Sequence, residues 1–232
     1  MLHNIPTGCE KIDRILEGGI PCRAVTLIYG EAETGKTTLS IQCAINCARQ
    51  GYKTLFIDCD NVFSTQRLHQ IASKDFPKIA ELIILMRPND LSEQTAVIDN
   101  IPGYLTKGFG LIVVDTLTSL YRAEIAEYPE RTFELNRELN REIACLAQIA
   151  KTQKIAVIAN SQVRGALNST FVDIEPVATR VLKFWADTII AMRPTEKPQV
   201  TKVVLEKTAK KRQPFIYHLK IGQAGMHECL IH

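Results

Sequence analysis

The sequence predicts an α/β fold: a mainly parallel sheet with helices on both faces and an antiparallel extension toward the C-terminal end. Three observations lead there. Five short apolar runs recur between residues 24 and 161, each the length of a strand buried on both faces, with helical segments between them. The first run ends at Gly30 in a glycine-containing turn that opens a helix, the context of a phosphate-binding loop. Beyond residue 186 the pattern changes to strand-like runs joined by short linkers.

At 232 residues the chain is long enough for one substantial core, and no linker, repeat or low-complexity tract divides it, so 1–232 reads as one domain. A net charge of +3 is too small to argue for nucleic acid by itself, so a basic patch must be sought locally. The seven cysteines form no C-x-x-C pair. Cys43 and Cys47 share a helix face, and the odd count argues for reduced, mostly buried thiols. The first residues lack the basic-then-apolar order of a signal peptide, and no apolar run reaches membrane-spanning length. The expectation is a cytoplasmic protein with no membrane association.

Taken in order, Thr7 can cap a helix from about Cys9 to Leu16, ended by Gly18 and Gly19. Ala24–Tyr29 is strand one, and its helix runs from Lys36 to about Gln50, stopping at Gly51. Thr54–Asp58 is strand two. Gln66–Ser73 reads as helix, Leu82–Met86 as strand three, and Ser92–Leu105 as a helix that Pro102 and Gly103 disturb at its end. Leu111–Asp115 is strand four. Pro129–Lys154 gives the strongest helix, with Leu135, Leu139, Ile143, Leu146 and Ile149 in one stripe. Ile155–Ser161 is strand five. Gln162–Pro176 reads as irregular and Val177–Trp185 as a short helix. Asp187–Met192, Gln199–Glu206 and Pro214–Leu219 form the expected antiparallel extension.

The chemistry concentrates between residues 30 and 38. Gly30, Glu31, Ala32, Glu33, Thr34, Gly35, Lys36 and Thr37 spell G-x-x-x-x-G-K-T, with Thr38 following. Glycines let backbone N–H groups approach phosphate oxygens, and the helix that starts at Lys36 adds its positive dipole end. Lys36 suits the β- and γ-phosphates, and Thr37 suits Mg²⁺. ATP and Mg²⁺ are the expected ligands. Asp115 ends an apolar strand at the edge where such sheets bind ligands, so it is the candidate second metal residue; helix capping is its alternative role. Asp60, just beyond strand two, is the candidate base that orients water, while Asp58 belongs inside the strand end. Gln162, after strand five, is the candidate γ-phosphate sensor, with a surface glutamine as the alternative.

These motifs resemble the RecA/RadA group of recombinase-type ATPases, and more narrowly its short archaeal paralogue branch. The entry T-G-C-E-K-I-D-R-I-L-E-G-G-I-P is similar to that family's T-G-x-x-x-L-D-x-x-L-G-G-G-I-P. G-E-A-E-T-G-K-T, F-I-D-C-D-N-V-F-S-T-Q-R-L, L-I-V-V-D-T-L-T-S-L-Y-R-A-E and I-A-N-S-Q-V resemble further family segments in the same order, from Thr7 to Val163. The resemblance implies a RecA-like P-loop ATPase core. It places Asp60 at the family's catalytic glutamate, Arg67 at its adenine-stacking arginine, and Gln162 at its phosphate-sensing glutamine. Tyr121 and Arg122 fall at the opening of the first DNA loop, and Arg164 to Lys183 fall where the second lies.

Three departures qualify the resemblance. Asp60 is one methylene shorter than glutamate, which implies weak hydrolysis. The family's N-terminal helical domain and inter-protomer linker have no counterpart in these residues, so the expectation is a homodimer or other small assembly. The second DNA loop has Pro176-Val177-Ala178-Thr179 in place of a glycine-rich turn, so little strand exchange is expected. Lys207, Lys210, Lys211 and Arg212 form a basic run near the C-terminal end, with Lys202 nearby. With Tyr121, Arg122, Arg164 and Arg180 they are the candidate contacts to single- or double-stranded DNA. Lys207 and Lys210 could instead reach a neighbouring protomer's ATP site, as lysines do in the family. The resemblance suggests an accessory protein of recombination and repair, partnered by DNA, a RadA recombinase, a Holliday junction nuclease or a polymerase. A KaiC-like signalling ATPase and a nucleotide-gated scaffold are the alternatives.

Overall fold

Strand β1 (Ala24–Gly30) is the pivot of the molecule. In the computed structural model, which describes residues 2–164, 175–176, 178–208 and 214–229, it lies between β5 (Ala156–Ser161) and β8 (Thr188–Pro194), both parallel to it. Outward from β5 come β4 (Phe109–Asp115), β2 (Lys53–Asp58) and β3 (Ile83–Met86), again parallel. Outward from β8 come β9 (Val200–Lys207), β10 (Phe215–Gly222) and β11 (Gly225–Glu228), all antiparallel to their neighbours. The strand order is therefore β11-β10-β9-β8-β1-β5-β4-β2-β3. A separate two-stranded ribbon pairs β6 (Val163–Arg164) with β7 (Glu175–Pro176).

Alternation along the strands feeds two cores. Ile28 of β1 faces a layer containing Ile12 of α1 (Glu10–Ile15), Leu39 and Cys43 of α2 (Lys36–Arg49), Leu68 of α3 (Thr65–Ala72) and Ile79 of α4 (Phe76–Ala80). Leu27 and Tyr29 face the other layer. That layer holds Ile98 of α5 (Leu91–Tyr104), Tyr121 of α6 (Ser119–Glu127), the apolar stripe of α7 (Thr132–Gln153) and Leu182 of α8 (Thr179–Trp185). All five predicted stripe residues of α7 are buried. Among the described residues no helix is long and apolar enough to cross a membrane.

Several elements differ from expectation. The segment from Thr188 is not antiparallel to the central sheet: it crosses over through α8 and joins β1 in parallel, so the antiparallel extension begins only at β9. Ser119–Glu127 folds as a helix, although its sequence carries little apolar periodicity; burial of Tyr121 secures it. Helix α5 runs through Pro102 to Tyr104, forgoing the one backbone N–H that proline lacks. Pro129 lies in a 3₁₀ turn that precedes α7. Residues 163–164 and 175–176 pair in a segment expected to be irregular. Thr7 does not cap α1. Its N–H and hydroxyl both donate to Asp13, each at 2.7 Å, which folds the entry segment onto the helix.

The topology sorts the chemistry. The parallel strands end together, so Gly30, Asp58, Asp115 and Ser161 reach one edge of the sheet. β9 runs the other way, pairing Thr201 with Pro194 and Lys207 with Ile189. Thr201 therefore lies at this carboxyl edge and Lys207 at the opposite edge.

Candidate functional site

A cavity of about 530 Å³ opens at the carboxyl ends of β1, β2, β4 and β5. Gly30, Glu31, Ala32, Glu33, Lys36 and Thr37 form one wall, Asp60 and Val62 another, and Asp115, Thr116, Gln162 and Val163 the rest. Two glycines shape the loop. A side chain at Gly30 would place its Cβ 2.1 Å from the Met192 carbonyl oxygen of β8, so the loop can leave β1 only through glycine. Gly35 sits at φ 92°, a left-handed conformation that glycine adopts without strain, and caps α2. The Thr34 hydroxyl donates to the Glu31 carbonyl at 2.9 Å, and Thr201 donates to the Thr34 carbonyl at 3.0 Å. β9 thus braces the loop from outside, a contact that its sequence does not announce.

Lys36 is buried and curls back, donating to the carbonyls of Gly30 at 2.9 Å and Glu31 at 2.6 Å. Burial lowers its pKa below the ordinary lysine range; Asp115, Asp60 and Glu31 pull it back up. Its ammonium is held over the loop that phosphates would occupy, by bonds that phosphate oxygens can replace.

Asp115 is 1% exposed. Its Oδ1 accepts from Asn160 at 2.8 Å, and Asn160 also donates to Ser40 of α2 at 2.9 Å. Its Oδ2 is buried and makes no hydrogen bond of ordinary geometry. Burial pushes its pKa up to about 6, while the Asn160 amide and the nearby Thr37 hydroxyl draw it down. An orphaned buried carboxylate oxygen beside a threonine hydroxyl is the oxygen donor set that Mg²⁺ takes.

The two aspartates after β2 have different surroundings. Asp58 is fully buried; it accepts from the Val62 and Phe63 backbone N–H groups at 3.0 and 3.1 Å and pairs with Arg87 at 3.1 Å. It folds the loop that carries Asp60. Asp60 projects to the cavity, where its Oδ2 accepts from the Thr116 hydroxyl at 2.6 Å. Sequence reasoning missed Thr116; its place directly after Asp115 was the available signal.

Gln162 lines the same cavity, and its side-chain oxygen accepts from Arg122 of α6. Arg67 does not line the cavity. Its guanidinium donates to the carbonyls of Gly222 at 2.7 Å and Gln223 at 3.1 Å, in the turn between β10 and β11. That hairpin packs beside the loop, since Ile221 and Met226 are the atoms nearest to any side chain built at Gly35.

Among the described residues, the candidate DNA contacts are not brought together. Tyr121 is 3% exposed, with its hydroxyl donating to Asn136 at 2.7 Å. It is a core residue of α6 rather than the opening of a surface loop, because its ring fills the space between α6 and α7. Arg122 is exposed at the cavity edge, donating to Gln162, and Arg180 is exposed on α8. Lys207 lies at the far edge, its ammonium donating to the Ala186 carbonyl at 2.6 Å. The Arg164 side chain and residues Lys210, Lys211 and Arg212 lie outside the described residues.

Comparison with known proteins agrees with this architecture. The family model for Rad51 matches residues 1–220. The DNA repair and recombination protein RadB of Methanobrevibacter smithii is 33% identical over 194 residues, 82% of this chain and 81% of that protein. The protein of the same name from Methanococcus maripaludis strain C5 is 28% identical over 215 residues, 93% of this chain and 96% of that one. A crystal structure described as the RadB recombinase superposes with a TM-score of 0.83 at 29% identity, covering 97% of this chain and all of that one. Sequence and fold agree over nearly the whole length, and the chain belongs to the Rad51 family, within its RadB group.

Proposed function

We propose that this protein is an ATP-binding, DNA-binding accessory factor of homologous recombination and DNA repair. One RecA-like domain carries both activities, with weak Mg²⁺-dependent hydrolysis and little strand exchange. The observation that carries the reading is the meeting of Lys36, Thr37, Asp60, Asp115 and Gln162 in one cavity, from four separate parts of the chain. The names of its relatives supply the biological setting.

In this reading the loop N–H groups and Lys36 bind the triphosphate, with Lys36 exchanging the Gly30 and Glu31 carbonyls for phosphate oxygens. Thr37 and Asp115 would hold Mg²⁺, which when bound neutralises phosphate charge. Asp60 orients the attacking water. Its carboxylate is short and already engaged by Thr116, so turnover is slow. Gln162 faces the nucleotide on one side and Arg122 on the other, so its position reports nucleotide state to α6. Arg67, fixed by the β10–β11 turn, flanks the base side of the loop.

The test is binding of labelled DNA with and without ATP and Mg²⁺, together with turnover in the parent and Lys36→Ala. Nucleotide-dependent DNA affinity and Lys36-dependent turnover are expected. Tight ATP binding with no DNA binding at low salt would replace this reading by a scaffold that works through protein partners.

A further inference from the structure

Loss of Tyr121 to the core leaves the proposed DNA contact without an aromatic stacking group, and the structure offers another. We propose that the outer surface of α8 and the adjoining α7 groove bind single-stranded nucleic acid, with Phe184 and Trp185 stacking on its bases. The inference rests on the DNA-binding reading above and locates a surface for it.

Phe184 is 74% exposed, and its ring lies edge-on to Trp185, centroids 5.2 Å apart at 89°. The indole is not loose: its N–H donates to Asn140 of α7 at 2.9 Å. Beside it a groove of about 580 Å³ runs between the helices, with Lys151 and Gln148 on the α7 side. Arg180 stands one turn before Phe184, so both occupy one face of α8, and both are exposed. Among the described residues neither Arg180 nor Lys151 has an ion-pair partner. Arg141, by contrast, is held by Asp99 and Glu138 at 2.6 Å each, and Lys183 by Glu206 at 3.3 Å.

An exposed aromatic side chain alone means little. An aromatic pair anchored through the Trp185 indole, near two cations that have no ion-pair partner among the described residues, is different. It matches the demands of an unstacked strand, whose bases need flat apolar faces and whose phosphates need positive charge nearby. A duplex keeps its bases stacked on one another and cannot use the rings. A second copy of this chain, or an acidic peptide, is the competing occupant.

Trp185 is the sole tryptophan of the chain, so its fluorescence reports this surface alone. The full chain is titrated with an oligothymidylate of about 12 nucleotides, within the usual site size, and with a duplex of equal length. Anisotropy of labelled DNA is read in parallel. We expect the single strand to quench Trp185 with the same midpoint as the anisotropy change, and the duplex to leave it nearly unquenched. Phe184→Ala should weaken single-strand binding about tenfold. The Arg180→Ala/Lys151→Ala pair should reduce the slope of log affinity against log salt by roughly 1.4. These side chains lie on the surface, so unchanged nucleotide binding verifies folding. DNA binding by anisotropy with constant Trp185 emission and no effect of Phe184→Ala overturns the inference and leaves the DNA-binding reading intact. A loss of self-association in Phe184→Ala without any change in DNA affinity assigns the surface to a second copy instead. No DNA binding by either readout removes both.

Discussion

The edge proposed to bind nucleotide and the opposite edge of this sheet are built from the same strands and have different character. At the nucleotide edge four strands end together. Each important side chain is already tied down: Lys36 by two carbonyls, Asp115 by Asn160, Asp60 by Thr116, Gln162 by Arg122. At the opposite edge β9 delivers Lys207, and α8 delivers an aromatic pair whose Phe184 ring is exposed. Preorganised polar groups suit a small, highly charged ligand of fixed shape. Surface cations and rings suit a long polymer that is bound by charge and stacking. The difference teaches that the catalytic candidates depend on geometry and the nucleic-acid candidates on exposure, so substitutions in the two regions should fail in different ways.

The largest effect is expected from Lys36→Ala. Removing a charged donor aimed at the phosphates should weaken ATP binding about a hundredfold by calorimetric titration, while the fold persists. If affinity is unchanged, the cavity is not the nucleotide site and the contrast between the edges collapses.

Asp60 sharpens the contrast within the cavity. Asp60→Glu restores the reach that aspartate lacks, and Asp60→Ala removes the carboxylate. We expect turnover in the two variants to differ by about a hundredfold, with ATP affinity nearly constant. Equal rates in steady-state assays would exclude Asp60 as the base.

Away from both edges, Glu142 gives a prediction about pH. It is fully buried between α5 and α7, accepting from Gln94 and Thr95 at 2.8 Å each. Burial raises its pKa from 4.5 to about 7. A carboxyl raised in the folded state costs nothing below its unfolded pKa. The penalty grows as pH rises from there and is complete above about 7. Between pH 5 and 8 the parent should therefore lose about 2 kcal/mol from this group. Glu142→Gln should show a flatter profile in denaturant titrations. Parallel profiles for the two proteins would mean that Glu142 stays ionised throughout.

The smallest effect comes from Tyr121→Phe. Loss of one buried hydrogen bond to Asn136 should cost about 1 kcal/mol of stability and leave DNA affinity unchanged. A fall in DNA affinity without a change in stability would return Tyr121 to the binding surface.

How much of this was legible in the sequence differs by region for a physical reason. The phosphate loop is contiguous, and its glycine spacing follows from local backbone demands, so Gly30 to Thr37 could be read directly. Asp115 was legible because an apolar strand ending in aspartate fixes that carboxylate at the sheet edge. The α7 stripe followed from helical periodicity. The parallel placement of β8 was not legible, since a seven-residue apolar strand reads alike in either direction and only the crossover through α8 decides it. The burial of Tyr121 depends on Asn136 and α7, fifteen residues away, and no local pattern encodes it. The Thr201 brace on the loop is more remote still, because it requires β9 to return beside β8.

The central claim is that nucleotide bound at the Lys36 cavity sets DNA affinity. The most direct test measures single-stranded DNA binding across a salt series, with and without Mg²⁺ and ATP, in the parent and in Lys36→Ala. The account predicts that ATP changes affinity in the parent at every salt concentration and has no effect in Lys36→Ala. A parent whose DNA affinity ignores ATP, or a Lys36→Ala variant that responds as the parent does, would contradict it.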